Sequence, residues 1–151
     1  MVADSEPLKI YITHLCRVDD EYGRVLEYLD GARRLQYRLV SEPTQGAVGS
    51  REAQRDLWRT QIQAAEIVVA LSAQFDVDAE AVEFQVRFAK SAGKPVLLMR
   101  RFGSVLPAPV PLARQADQSV DWNERALSDA LRRHGRGDTQ ARWDTIDFTL
   151  D

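Results

Sequence analysis

Leu8-Lys9-Ile10-Tyr11-Ile12-Thr13 is a short β-prone run between Pro7 and His14, and it predicts a first strand. Tyr22, Val25, Leu26 and Leu29 then recur at i, i+3, i+4 and i+7. With Asp19 or Asp20 placed to cap them and Gly31 to end them, they predict a helix. Alternation over Leu35 to Val40 predicts a second strand, and Ser41 to Gly49 has the composition of a long polar loop. Ser50 opens a second helix over Arg51 to Ala65, with Ala53, Leu57, Ile62 and Ala65 as inward positions. Ile67-Val68-Val69-Ala70-Leu71 is unbroken apolar sequence, as in a strand buried on both faces of a parallel sheet. A third helix starts at Asp76 or Asp78 and ends near Gly93, and Pro95 to Met99 is another buried strand. Pro107-Ala108-Pro109-Val110-Pro111 reads as loop. Ser119-Val120 is a short last strand, followed by a helix from about Trp122 to Arg133.

Strands that alternate with helices imply βαβ units joined by right-handed crossovers. The expected architecture is α/β: a flavodoxin-like open five-stranded parallel sheet of order 2-1-3-4-5 with helices on both faces. Ligands of such sheets lie outside the carboxyl ends of the strands where the order reverses. Here that point falls between the first and third strands and gathers His14, Ser41 and Ser72 around one crevice.

The chain's 151 residues fit one domain, expected over 8–133, with 134–151 as a C-terminal tail. Trp143, Ile146, Phe148 and Leu150 make that tail too apolar for a pure linker, so docking on the body or on a neighbouring chain is open. One cysteine, Cys16, excludes an intramolecular disulfide, and with two histidines the usual zinc frameworks fall as well. No metal is expected. The acidic start Met1 to Pro7 is unlike a signal peptide, and no apolar run is long enough to span a bilayer. A cytoplasmic protein without a membrane partner is the expectation. A net charge of −3 gives no electrostatic reason for nucleic-acid binding. Arg132, Arg133, Arg136 and Arg142 are expected as a solvated helix end.

Several pieces, taken in order, resemble one family: Tyr11-Ile12-Thr13-His14, Asp19-Asp20-Glu21-Tyr22, Ser41-Glu42-Pro43, Leu57 to Ala70, Ala92-Gly93-Lys94-Pro95-Val96-Leu97-Leu98, and Val120-Asp121-Trp122-Asn123. Over about residues 8–133 the chain resembles the TIR-like family typified by the smaller Thoeris subunit, a divergent bacterial branch of Toll/interleukin-1 receptor domains. The resemblance implies the flavodoxin-like fold, assembly into homo-oligomers or with another signalling protein, and, in active members, cleavage of NAD at the nicotinamide–ribose bond. It implies no obligatory cofactor; NAD or a related nucleotide enters as ligand or substrate. The decisive family residue is a glutamate early in the third helix. Its carboxylate stabilises the oxocarbenium-like ribose as nicotinamide leaves.

Counted back from the glycine of Gly93-Lys94-Pro95, the glutamate position falls on Gln85 and the family's aromatic on Ala81. An amide cannot supply the negative charge. Glu83 is the nearest alternative acid, but a helix turns about 100° per residue. Ala81, Phe84, Gln85, Phe88, Ala89 and Ala92 then share one side, while Glu80, Glu83, Arg87, Lys90 and Ser91 share the other. Glu83 is expected in solvent as an i, i+4 partner of Arg87. Gln85 is either a buried amide satisfied by backbone or part of a pocket that binds a nucleotide without turnover. An Asp or Glu oxygen beside the first and third strand tips would defeat the inactive reading.

His14, Asp19, Ser41, Ser72 and Gln85 are the candidate ligand contacts. Each has a structural alternative: His14 and Ser41 as partners of backbone, Asp19 as a helix cap. Arg100-Arg101 follows the fourth strand and is either a bidentate phosphate site or solvent-exposed. Cys16 reads as a small packing residue, and Trp58 and Trp122 as packing aromatics. A receiver domain is excluded because the third strand ends Ala70-Leu71-Ser72 without an acceptor aspartate, and no lysine follows Lys94. No glycine-rich phosphate loop, GxGxxG or Walker motif occurs. Two readings remain: a catalytically impaired signalling or interaction module, and an NAD-cleaving hydrolase or cyclase.

Overall fold

Five parallel strands form one sheet in the order β2-β1-β3-β4-β5. The computed structural model describes residues 6–44 and 49–135. The strands are β1 (Leu8–Ile12), β2 (Tyr37–Leu39), β3 (Ile67–Leu71), β4 (Val96–Met99) and β5 (Gln118–Val120). Between them run α1 (Asp20–Gly31), α2 (Arg51–Gln63), a 3-10 turn (Ser72–Asp76) leading into α3 (Ala79–Ser91), and α4 (Val110–Ala113); α5 (Glu124–Gly135) closes the described chain. This is the flavodoxin-like architecture that the alternation of patterns predicts.

The central strands are buried on both faces, and their side chains divide by parity. Ile10, Ile12, Ile67, Val69, Leu71, Leu97 and Met99 meet Val25 and Leu29 of α1 and Leu127 and Leu131 of α5. Tyr11, Val68, Ala70, Val96 and Leu98 meet Trp58 and Ile62 of α2, Val82, Val86 and Ala89 of α3, and Leu112 of α4. The order reverses between β1 and β3, so their carboxyl ends form the edge of the crevice.

Capping explains several boundaries. Asp19 accepts from Tyr22 N, Ser50 from Ala53 N and Asp78 from Ala81 N. Gly93 lies at φ +77 and ends α3, with Lys94 N donating to Ala89 O at 2.9 Å. That six-to-one bond needs a left-handed residue, which glycine supplies without steric cost.

Four expectations are corrected. β2 spans only Tyr37–Leu39, because only those residues pair with β1 at this sheet edge. The inward stripe of α2 is Trp58, Gln61 and Ile62, with Ala65 just beyond; Ala53 and Leu57 are half-buried. α4 lies inside the stretch read as loop, its proline in the first turn where no N–H is needed. α5 begins at Glu124 because Asn123 Oδ1 accepts from Ala126 N at 2.9 Å, leaving Trp122 outside the helix. Among the described residues no helix is long and apolar enough to cross a membrane. Arg136, Arg142 and the apolar tail residues lie outside the described residues. Arg132 and Arg133 are exposed, beside Asp129 at 3.1 Å and Gln118 at 3.2 Å.

Candidate functional site

The β1–β3 seam ends in a clasp of side chains. Thr13 is fully buried just past β1; its Oγ1 accepts from Leu71 N at 3.0 Å and donates to Gln74 Oε1 at 2.8 Å. Gln74 Nε2 returns the contact, donating to Thr13 O and to Asp19 Oδ2, both at 3.0 Å. Asp19 Oδ1 caps α1 through Tyr22 N at 2.8 Å. Asp19 is thus a helix cap, as its position before α1 predicts, and it also places a carboxylate oxygen beside the tips of β1 and β3. The premise that the crevice lacks any anion is overturned. The inactive reading as drawn from the sequence, that no acid stands at the crevice, therefore fails; what is left to support it is that both Asp19 oxygens are already held, Oδ1 by Tyr22 N and Oδ2 by Gln74 Nε2.

Gln85, fully buried on α3, engages every polar valence it has, two of them on His14, the next residue of the same loop. Its Oε1 accepts from Tyr11 Oη at 2.5 Å and His14 N at 3.1 Å. Its Nε2 donates to His14 O at 2.9 Å and Ala81 O at 3.1 Å. A backbone N–H on one side and two carbonyls on the other fix which end is oxygen. Burial raises the Tyr11 phenol well above its ordinary value, which keeps it a donor. Of the two structural fates read for Gln85, the satisfied buried amide is the one present.

His14 is equally enclosed. Cys16 N donates to its Nδ1 at 3.1 Å, and its Nε2 faces Gln61 Oε1 at 3.0 Å. Glu42 N donates to that same oxygen at 3.0 Å, while Gln61 Nε2 donates to Glu42 O at 3.1 Å. Gln61 therefore presents an acceptor, and His14 is the neutral Nε2–H tautomer. Burial pulls its pKa down, against the Gln61 hydrogen bond and the Asp19 charge that pull it up. The ring ties β1 to α2 and to the loop after β2.

Ser41 is buried beside them. Its Oγ accepts from Ile12 N at 3.2 Å and shares a hydrogen with Tyr22 Oη at 2.7 Å. The structure thus brings His14, Asp19, Ser41 and Gln85 together, and buried Ser72 opens the 3-10 turn on the adjoining strand tip. Glu83 stands off the buried stripe of α3, which is Ala81, Val82, Gln85, Val86 and Ala89. That stripe is rotated toward Val82 and Val86 relative to expectation: Phe84 and Phe88 are half-buried against α2, Ala92 is exposed, and Glu83 is half-buried rather than fully solvated. Among the described residues Glu83 makes no ion pair with Arg87.

The remaining candidates are engaged elsewhere. Arg101 pairs with Asp76, and Arg100 with Asp121 at 3.8 Å. Cys16 packs against the α2–α3 core in a left-handed conformation, φ 63. Burial raises its thiol, although Arg51 is near enough to pull the other way. Trp58 is buried in the core, and Trp122 Nε1 donates to Arg100 O at 2.6 Å. Among the described residues no three His, Cys, Asp or Glu side chains gather to hold a metal ion.

Sequence reasoning missed Tyr11, Gln61 and Gln74, which do most of the bracing, and it missed Glu21. Gln61 had a signal, a polar residue on an inward helical stripe; Gln74 had none, because it lies in an irregular turn. Glu21 Oε2 accepts from Phe102 N at 2.8 Å while its Oε1 is buried without a partner. Burial raises the Glu21 pKa, the Phe102 N–H lowers it, and the Asp19 charge raises it further.

No protein-family model and no curated protein matches the chain. Solved structures do. A 2-deoxyribosyltransferase from Bacillus psychrosaccharolyticus is similar at TM-score 0.54 and 17% identity, over 78% of this chain and 90% of that one. The CMP N-glycosidase BcmB of Clostridium botulinum is similar at TM-score 0.50 and 12% identity, over 82% and 97%. At these identities the likeness shows the fold alone. Neither of the two is described as a Toll/interleukin-1 receptor domain.

Proposed function

We propose that the chain is a TIR-like signalling and interaction module that has lost ribosyl chemistry at its strand tips and acts by association, in prokaryotic defence or stress signalling. One observation carries this reading: at the position where active relatives of the resembled family place an acid, Gln85 has all four hydrogen bonds engaged, three of them holding α3 to Tyr11 and His14 and the fourth on Ala81 O of its own helix. A substrate ribose has no free group to meet there. A rim of apolar side chains supports action by association. The exposed large hydrophobics among the described residues are Val18, Val77, Phe102, Val105, Leu106 and Val110. Val18, Val77, Phe102, Val105 and Leu106 lie in the segments that follow β1, β3 and β4 at their carboxyl ends, and Val110 opens α4; exposed apolar side chains on that edge support an interaction surface.

The test incubates the full chain with NAD and, separately, with CMP, and follows nicotinamide or free base by chromatography. The expected result is no release above a protein-free blank. Light scattering across a concentration series should show self-association that Val105→Asp with Leu106→Asp reduces; a concentration-independent monomer contradicts self-association through the rim.

A second reading has its own observation. Asp19 supplies an anion at the strand tips, and two of the similar structures are described by nucleoside chemistry, so an N-glycoside-cleaving or NAD-consuming enzyme built on Asp19 is the alternative. Release of base or nicotinamide that Asp19→Asn abolishes, while Glu83→Gln leaves it intact, would establish that enzyme and end the inactive reading.

A further inference from the structure

The outer groove between α2 and α3 lies on the flank of the sheet, away from the clasp of Thr13 and Gln74. Helical spacing places Arg51, Arg55 and Arg59 in one row on α2, facing Glu80, Phe84 and Phe88 in one row on α3. Arg55, Glu80, Phe84, Arg87, Phe88 and Ser91 line a cavity of about 420 Å³. The Phe84 and Phe88 rings are close to parallel, 12° apart with centroids at 6.3 Å, and both are only half-buried. Guanidinium groups lie over Phe84 at 5.7 Å from Arg55 and 5.3 Å from Arg59.

Two features of this groove exceed what helix packing requires. Arg55 reaches Glu80 with Nη2 at 3.5 Å, but its Nε–H is buried and donates to nothing. Native structures seldom leave a buried donor without an acceptor. Arg87, exposed at the opposite side of the cavity, forms no ion pair among the described residues. A flat apolar surface thus sits between two guanidinium groups with free donors. A planar ring bearing an anionic group complements both at once: the ring packs on Phe88, since the Arg55 and Arg59 guanidiniums already lie over Phe84, and the anion accepts from Arg87 and, inside the cavity that Arg55 lines, from the buried Arg55 Nε. Glu80 at the rim disfavours a bare anion and can accept from an exocyclic amine. The cavity falls in the usual size range of small-molecule sites.

We infer that the α2–α3 groove binds an aromatic anion of the nucleoside monophosphate class. The site is independent of the strand tips, so it stands or falls separately from the loss of turnover there.

The test titrates the full chain with AMP, using adenosine and inorganic phosphate as half-ligands, by calorimetry and by NMR shift mapping. AMP should bind with Kd below about 1 mM, and each half-ligand about tenfold or more weaker. Arg87→Glu, at an exposed position that leaves the fold intact, should weaken AMP about tenfold or more, and Phe88→Leu should weaken it by removing the flat surface. Shifts should centre on Phe84 and Phe88. Absence of AMP binding, affinity unchanged by Arg87→Glu, or shifts centred on Thr13 and His14 would each overturn the assignment. An unchanged thermal midpoint in Arg87→Glu confirms that lost binding is not lost folding.

Discussion

Replacing Gln85 by glutamate adds the acid that the resembled family uses, yet the geometry makes it a destabilising change. The new oxygen stands where Nε2 now lies, 2.9 Å from His14 O and 3.1 Å from Ala81 O. Two hydrogen bonds are lost at roughly 1 kcal/mol each, and the His14 carbonyl, left without that donor, adds roughly 1–2 kcal/mol. Ala81 O keeps its helical N–H. The sum for Gln85→Glu is about 3–4 kcal/mol at pH 7, which for a chain of this length is a fall in Tm of about 10 °C. An acid held against two carbonyls has its folded pKa raised above the unfolded value near 4.3. Its penalty is therefore full at neutral pH and fades as pH falls and the protonated acid donates to one carbonyl. Urea denaturation of wild type and variant at pH 7 and pH 5 reads this directly: the gap between them should be large at pH 7 and smaller at pH 5. Equal stability at pH 7 would refute the locked-amide argument. A stable variant that also releases nicotinamide from NAD would show instead that the tip is an intact pocket short of one carboxylate.

His14 gives the wild-type chain a pH dependence of its own. Its folded pKa lies below the unfolded value near 6.5, so the unfolded chain binds the proton first. Stability is full above about pH 6.5 and declines as pH falls through the folded pKa; Glu21, raised by burial, acts in the opposite direction over the carboxylate range. Urea midpoints that stay flat between pH 7.5 and 5.5, or an NMR spectrum with His14 protonated at pH 7, contradict the buried neutral tautomer. Gly93→Ala introduces no clash, since nothing lies within 4 Å of the added Cβ, so only the left-handed backbone counts. The expected loss is about 1 kcal/mol, and an unshifted denaturation midpoint would show that α3 does not need that cap. Cys16, its thiol raised by burial, should alkylate more slowly at pH 7.5 than a small-peptide thiol; equal rates would place the sulfur in water.

The fold was legible because its signals are local and repeated. An unbroken apolar run such as Ile67 to Leu71 belongs on both faces of a sheet, and capping residues such as Asp19, Ser50 and Asp78 mark helix starts by chemistry that acts over three residues. Where several weak signals competed, boundaries slipped. Pro111 reads as loop until a first helical turn is seen to accept it, and Trp122 joins α5 by periodicity until Asn123 is seen to take the cap. At the crevice topology brings His14, Ser41 and Ser72 together, since it carries strand ends to one place; Gln85 is added by the family resemblance, and Asp19 reads first as a helix cap. The sequence could not say whether those groups face a ligand or one another.

From its pattern of apolar and polar positions, this chain determined a five-stranded parallel sheet of order 2-1-3-4-5 with helices on both faces. Only tertiary structure decided that Gln85, Gln61 and Gln74 turn inward and saturate the strand tips, that Asp19 adds a carboxylate there, and that Arg55 and Arg87 flank an aromatic groove. Hydrophobic periodicity is written along one chain, whereas each hydrogen bond of Gln85 to Tyr11 and His14 joins residues more than seventy positions apart. Their partnership exists only once the sheet has brought β1 and α3 together.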